Sequence, residues 1–200
     1  MPRQKNQAER RLQLVDAATR AVLRHGSTGA RLRDIAQEAG LTAAAVLYYY
    51  PDVTELLAAV YERGYAQYCE RREEHVARAG SAPERLRACI ASGVPRPGAT
   101  EEASRLLYEL TPVVLRDPAA AAQNALFVQR QAGLYRAVLE QGAGSGDFRL
   151  VAPPDVLARG FVALEDGYGL DVLTGAATAD HVEEWLLLHA DVVTNGPSRG

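Results

Sequence analysis

The chain has 200 residues, 48% of them hydrophobic and 6% aromatic, with a net charge of −3; this is globular composition with room for a second core beyond one minimal binding unit. No apolar run approaches the roughly 18 residues of a membrane span and the polar, charged N-terminus lacks signal-peptide character, so a cytoplasmic protein without membrane association is expected. The only cysteines, Cys69 and Cys89, are too few for a disulfide framework and lack zinc-ligand spacing, which reads as free buried thiols and no metal site.

Residues 1–8 are polar and basic without periodicity and predict a flexible arm. From about Glu9 to His25, Leu14, Val15, Ala18, Ala21 and Val22 fall on one face, predicting an amphipathic first helix that Gly26 ends. The stretch LRDIAQEAGLTAAAVLYYY, Leu32 to Tyr50, then reads as two short helices broken at Gly40. The first offers Leu32, Ile35, Ala36 and Ala39 at helical spacing, and the second Ala45, Val46 and Tyr49. Gly40 suits the left-handed residue that ends a helix, and Thr42 suits an N-cap. Two helices joined by a short turn containing Gly form a helix-turn-helix pattern, whose second helix can enter the DNA major groove.

Charge supports that placement. Residues 1–50 carry eight basic groups (Arg3, Lys5, Arg10, Arg11, Arg20, Arg24, Arg31, Arg33) and four acidic ones, leaving 14 basic and 21 acidic groups of the chain's 22 and 25 for the remainder. A basic head on an acidic body is the asymmetry expected when only the head meets phosphate.

After Pro51 and Asp52 a fourth helix is predicted from Val53 to about Ala79, with Leu57, Val60, Tyr61, Tyr65, Tyr68 and Cys69 inward. Gly80 to Pro83 stops it and starts a fifth. Val94 to Thr100 reads as a proline-rich loop, a sixth helix follows from about Glu101, and Pro112 kinks or ends it. Asp117 and Pro118 open a long seventh helix. Gln141 to Phe148, with three glycines, is the clearest break in the second half. Pro153, Pro154 and Asp155 lead into an eighth helix ended by Gly175. A ninth begins near Ala179, with Val182, Trp185, Leu186, His189 and Val193 on one face, and Asn195 to Gly200 reads as a frayed tail. Sustained period-two alternation is lacking. The reading is all-α with about nine helices: a three-helix DNA-binding domain over residues 1–52 and a larger helical effector-binding and dimerisation domain over 53–200.

The first 60 residues resemble the tetracycline-repressor (TetR) family of bacterial transcriptional regulators. Ile35-Ala36, Ala39-Gly40-Leu41-Thr42, Val46-Leu47-Tyr48-Tyr49-Tyr50 and Leu56-Leu57 sit at that family's spacings. The chain departs where Ala30-Arg31 replaces a small polar residue, where Val53-Thr54 replaces Lys-Glu, and where Leu47 replaces a Tyr. The resemblance implies Tyr50 in the core and Tyr48 outside, C-terminal helices that pair across a dimer, an effector that moves the fourth helix, and repression released by ligand.

Arg31 and Arg33 are candidates for phosphate contact, and Thr42, with the N–H groups that open the third helix, for phosphate or a base edge. Ala43, Ala44 and Ala45 let that helix sit close and touch thymine methyls, while Tyr48 and Tyr49 reach with hydroxyls. For a small, hydrophobic effector of unknown identity the candidates are Tyr61, Tyr65, Tyr68, Cys89, Ile90, Tyr108, Phe127, Gln131, Tyr135, Glu165 and Tyr168, aromatic area with polar groups that orient a ligand; an aromatic stripe at this spacing is most often simple core. For a homodimer the candidates are Gly160, Phe161, Leu164, Gly167, Trp185, Leu186, His189 and Val193, in a two-fold assembly that predicts a pseudo-palindromic double-stranded DNA operator. No nucleophile elbow, phosphate loop, zincin motif or dinucleotide turn occurs, the four histidines are scattered, and Glu165-Asp166 reads as one buried and one exposed acid. The expectation is therefore a regulator, not an enzyme, without a cofactor. The alternative is a DNA-binding regulator whose body binds a protein partner.

Overall fold

Hydrophobic spacing of three and four residues is realised as helix along nearly the whole chain. The computed structural model describes residues 2–196, with side chains from residue 7 onward. Its helices are α1 (Pro2–His25), α2 (Leu32–Ala39), α3 (Ala43–Tyr49), α4 (Val53–Ala77), α5 (Ala82–Gly93), α6 (Ala99–Glu109), the single turn α7 (Thr111–Val114), α8 (Pro118–Ser145), α9 (Pro154–Thr174) and α10 (Ala179–Thr194). Among the described residues there is no strand, and Arg149 and Asn195 form one isolated bridge. Among the described residues the all-α architecture of nine helices, plus one turn, stands.

By contact the chain divides into two units. The first comprises Met1–Ala66 and Arg105–Ala125, the second Gln67–Ser104 and Leu126–Gly200. In the first unit Leu14, Val22, Ile35, Val46, Leu56 and Val60 are fully buried. Leu106 and Leu107 approach Gly64 of α4 closely, which is why the sixth helix's end counts with the head by contact. Arg20 and Arg24 both reach Glu38 of α2. Arg11 lies over the Tyr50 ring at 4.4 Å and within 3.3 Å of Glu55. These basic groups therefore fasten the head together. In the second unit Ile90, Tyr135, Leu139, Phe161 and Leu186 centre the core, contributed by α5, α8, α9 and α10.

Several element boundaries differ from the sequence reading. α1 starts at Pro2, so residues 2–8 are not an arm; Pro suits a first turn, and the good helix formers after it extend an existing helix at little cost. The arm's basic side chains, Arg3 and Lys5, lie outside the described residues. α4 ends at Ala77, and α6 starts two residues early, at Ala99. Pro112 sits in the first turn of α7, where its missing N–H costs nothing. The glycine-rich stretch is not a break until Gly146: α8 continues through Gly142 and Gly144. The tail's first residues are not frayed, since Gly196 N–H donates to Arg149 O at 2.8 Å and Arg149 N–H donates to Thr194 O at 2.7 Å; residues 197–200 lie outside the described residues.

Gly142 is helical because of packing. A Cβ there would overlap the Phe148 ring, which is buried against it. Gly142→Ala is therefore expected to destabilise the fold by about 1–3 kcal/mol in urea unfolding despite alanine's better helix propensity. A stabilised variant would mean that Phe148 does not close on α8.

Candidate functional site

The helix-turn-helix is built from two caps. Asp34 accepts from the Arg31 N–H at 3.1 Å at the start of α2, and Gly40 ends α2 with φ at 64°, a left-handed conformation that side chains resist. Thr42 then caps α3, its Oγ1 accepting from Ala45 N–H at 3.2 Å. The seven-residue α3 buries Val46, while Tyr50 just beyond it is also buried. Tyr48 is 69% exposed and stands edge-to-face with the half-buried Tyr49 at 5.1 Å. Thr42, Ala43 and Ala44 are exposed, Ala45 is half-buried, and Leu47 is 39% exposed. Arg31 and Arg33 are exposed on the preceding turn, with Arg33 Nε 3.5 Å from Asp34. The outer face of α3 is thus small or apolar apart from Thr42 and the tyrosine hydroxyls.

A polar centre occupies the second unit's interior, and its hub is a residue the sequence reading passed over. Arg72 is 2% exposed. Its guanidinium meets Glu165 through two parallel bonds of 2.9 and 2.8 Å, donates to Gln131 Oε1 at 2.6 Å and to the Cys89 carbonyl at 2.9 Å, and reaches the Tyr68 hydroxyl at 3.4 Å. Tyr135 donates to Glu165 at 2.5 Å, and its ring stacks on Phe161 at 4.7 Å. The guanidinium carbon lies 5.5 and 5.6 Å from the Tyr68 and Tyr135 ring centres, within cation–π range. Burial alone would lower the Arg72 pKa; Glu165, helped by the two phenols, outweighs it and holds the group well above its ordinary value. Burial pushes the Tyr68 phenol up to about 12. The Cys69 and Cys89 thiols are pushed up to about 11 and about 12, burial again leading, so both are protonated and poorly nucleophilic at neutral pH. Arg72 Nε is buried without an acceptor.

Beside Arg72 opens a cavity of about 350 Å³. Tyr68, Arg71, Arg72 and His75 form one stripe of α4 along it, faced by Ala91 and Ser92 of α5, Arg96, and Thr100 in the first turn of α6. Arg96 is held by Asp180 at 2.7 Å and Glu183 at 2.5 Å. Of the effector candidates, Tyr68 lines this cavity, and Cys89, Gln131, Tyr135 and Glu165 surround Arg72. Phe127 packs edge-on to Tyr68 at 5.7 Å. Ile90 is fully buried core, and Tyr168 is half-buried against Trp185 at 5.3 Å. Tyr61, Tyr65 and Tyr108 belong to the first unit, where Tyr61 donates to Asn124 at 2.6 Å and packs 5.9 Å from Tyr65. The tyrosine stripe is therefore divided between two units. Arg72 was legible in one respect: it follows Tyr68 and precedes Val76 at a spacing of four, on a line whose last two members are buried.

Among the dimer candidates, Phe161, Leu186 and Val193 are buried in the monomer's own core, which removes their side chains from any exposed face, and His189 packs edge-on to Phe161 at 5.1 Å. Gly160 and Leu164 are half-buried and Gly167 is exposed. Trp185 is 42% exposed, and Leu188 and Val192 beside it are 64% and 63% exposed. These three form an exposed apolar stripe on α10, of which the sequence expectation included Trp185.

A family model described as BetI-type transcriptional repressor, C-terminal, matches residues 82–194, and one described as bacterial regulatory proteins, tetR family, matches residues 14–60. The HTH-type transcriptional regulator PksA of Bacillus subtilis (strain 168) is 43% identical over 58 residues, 29% of this chain and 28% of that protein, so the match spans little more than a quarter of that relative. A regulator from Saccharomonospora viridis, solved in complex with choline, superposes with a TM-score of 0.85 at 24% identity, covering 94% of this chain and all of that one. FadR from Bacillus subtilis, solved with stearoyl-CoA, gives 0.67 at 19% identity over 88% of this chain and 96% of that one. At these identities the likeness is one of fold.

Removing one charge of a buried pair strands the other. Glu165→Gln is expected to destabilise the protein by about 3–5 kcal/mol in urea unfolding, with helical circular dichroism retained before the transition. A cost below about 1 kcal/mol would mean that Arg72 is hydrated in solution.

Proposed function

The chain belongs to the TetR family of bacterial transcriptional regulators, and we propose that it acts as a homodimeric repressor that a small-molecule effector releases from a pseudo-palindromic operator. The observation that carries this reading is α4. It begins directly after the helix-turn-helix and bears Tyr68, Arg71, Arg72 and His75, the stripe that walls the cavity and anchors the buried polar centre. A ligand that favours a rearranged stripe alters the helix on which the DNA-reading head is carried. Differential affinity of about 1–3 kcal/mol between the two states is enough to shift operator occupancy.

On DNA, Thr42 and Tyr48 supply polar contact, Ala43 and Ala44 close approach, Ala45 and Tyr49 support from half-buried positions, and Arg31 and Arg33 phosphate attraction. Val53 offers no charge at the start of α4. With so few polar groups per α3, affinity rests on two copies held at the about 34–36 Å spacing of successive major grooves. The exposed Trp185, Leu188 and Val192 stripe on α10, with Gly160, Leu164 and Gly167 on α9, is the face we assign to the partner copy.

The effector's class, in this reading, differs from choline, the molecule with which the Saccharomonospora viridis regulator was solved. Quaternary ammonium ions are held by aromatic faces and carboxylates. Here Glu165, Tyr68 and Tyr135 already enclose a cation, the chain's own Arg72.

Two outcomes follow from this reading. Tyr48→Phe is expected to weaken operator binding about 5- to 10-fold in a gel-shift titration, in keeping with one lost hydrogen bond, while leaving the melting temperature unchanged; unchanged affinity would take Tyr48 off the contact surface. Leu188→Asp is expected to convert a dimer to a monomer in sedimentation at micromolar concentration and to reduce operator affinity at least 100-fold. A variant that stays dimeric would place the partner on another face.

A further inference from the structure

We propose that the cavity beside Arg72 binds a small organic anion, a carboxylate on an apolar body, and that Arg71 is the residue that selects it. This rests on the effector reading above and adds the ligand's charge class.

Three independent features point the same way. The wall holds three guanidinium groups, Arg71, Arg72 and Arg96, and the His75 imidazole, and among the described residues no carboxylate lines it. Glu165 lies behind Arg72, and Asp180 and Glu183 lie behind Arg96, so these three acids are already committed. Arg71 is exposed and has no ion pair among the described residues, which leaves it uncompensated at the cavity. Arg72, a wall residue that is almost wholly buried, keeps its Nε–H without an acceptor. Guanidinium groups match carboxylates through parallel donors.

The hydroxyls sharpen the chemistry. Ser92 donates to the Cys89 carbonyl at 2.9 Å and Thr100 to the Arg96 carbonyl at 2.9 Å, so both hydrogens are spent inward. An acceptor ligand must therefore be held by the cationic side chains, which favours a full negative charge over a neutral carbonyl. The ring of Tyr68, the Ala91 methyl and the arginine stems supply apolar surface for the ligand's body. At about 350 Å³ the space lies near the small end of ligand pockets, about 300–1,000 Å³.

The test uses the full chain with benzoate and octanoate as anions, benzyl alcohol as a neutral counterpart, and choline as a cation. Melting temperature and operator affinity are measured for the unmodified protein, Arg71→Ala and Arg71→Lys. Benzoate or octanoate is expected to raise the melting temperature by about 3 °C or more near saturation and to weaken operator binding at least 10-fold. Arg71→Ala should lose at least 10-fold in anion affinity, Arg71→Lys should recover part of it, and both should bind operator normally without ligand. Anion binding unaffected by Arg71→Ala overturns the site. A response to benzyl alcohol or choline but not to either carboxylate overturns the charge class and leaves the effector reading standing, and silence from all four probes likewise overturns the carboxylate assignment. Failure of the effector reading looks different: Arg71-dependent stabilisation by a carboxylate with no change in operator affinity.

Discussion

The pairing of Arg72 with Glu165 constrains the second unit more tightly than any other contact in it. Removing two full charges from water costs several kcal/mol per ion, and only good geometry with further hydrogen bonds restores it. The protein meets that demand from four helices: α4 supplies the guanidinium, α9 the carboxylate, α8 Gln131 and Tyr135, and α5 the Cys89 carbonyl. Because a bidentate ion pair tolerates little rotation, these helices are held in one register as well as packed together. Even α5's last residue follows from it. A Cβ on Gly93 would overlap the Glu165 carboxylate and crowd Arg72, so the chain leaves that position bare.

The two units rest on different physics. The head is assembled by an apolar core and by surface clasps such as Arg20 and Arg24 on Glu38, which salt weakens and which each contribute little. The body is organised around charge buried away from solvent. The head, which carries the helix-turn-helix, has its basic groups partly restrained, while the body carries a polarised interior in which small electrostatic differences are amplified.

What the sequence disclosed followed the range of the interaction. Gly40 and Thr42 act within one turn of the chain, and their caps could be read directly from residue type. Tyr48 outside and Tyr50 inside came from resemblance to known spacing. Arg72 escaped because it sits in ERREEH, a run that looks like a solvated face, and its partner is 93 residues away. Glu165 was picked out as a site residue without the guanidinium that explains it. The stretch from Gly142 was read as a break one turn early because the reason for Gly142 is tertiary: Phe148 folds back onto α8, and only a residue without a side chain leaves it room there. The same blindness applied to Phe161 and Leu186, whose face on the helix was right but whose covering came from the chain itself.

That separation of 93 positions also has an evolutionary consequence. Replacing either Arg72 or Glu165 by a neutral residue leaves the other charge bare in the interior, so the two positions are expected to change together. Recombination that joins the front half of one gene to the back half of another separates them, and a chimera with a relative that lacks the pair would carry one of the two charges unmatched even when both DNA-reading heads are sound. The pair acts as an inherited compatibility check on the halves of the gene.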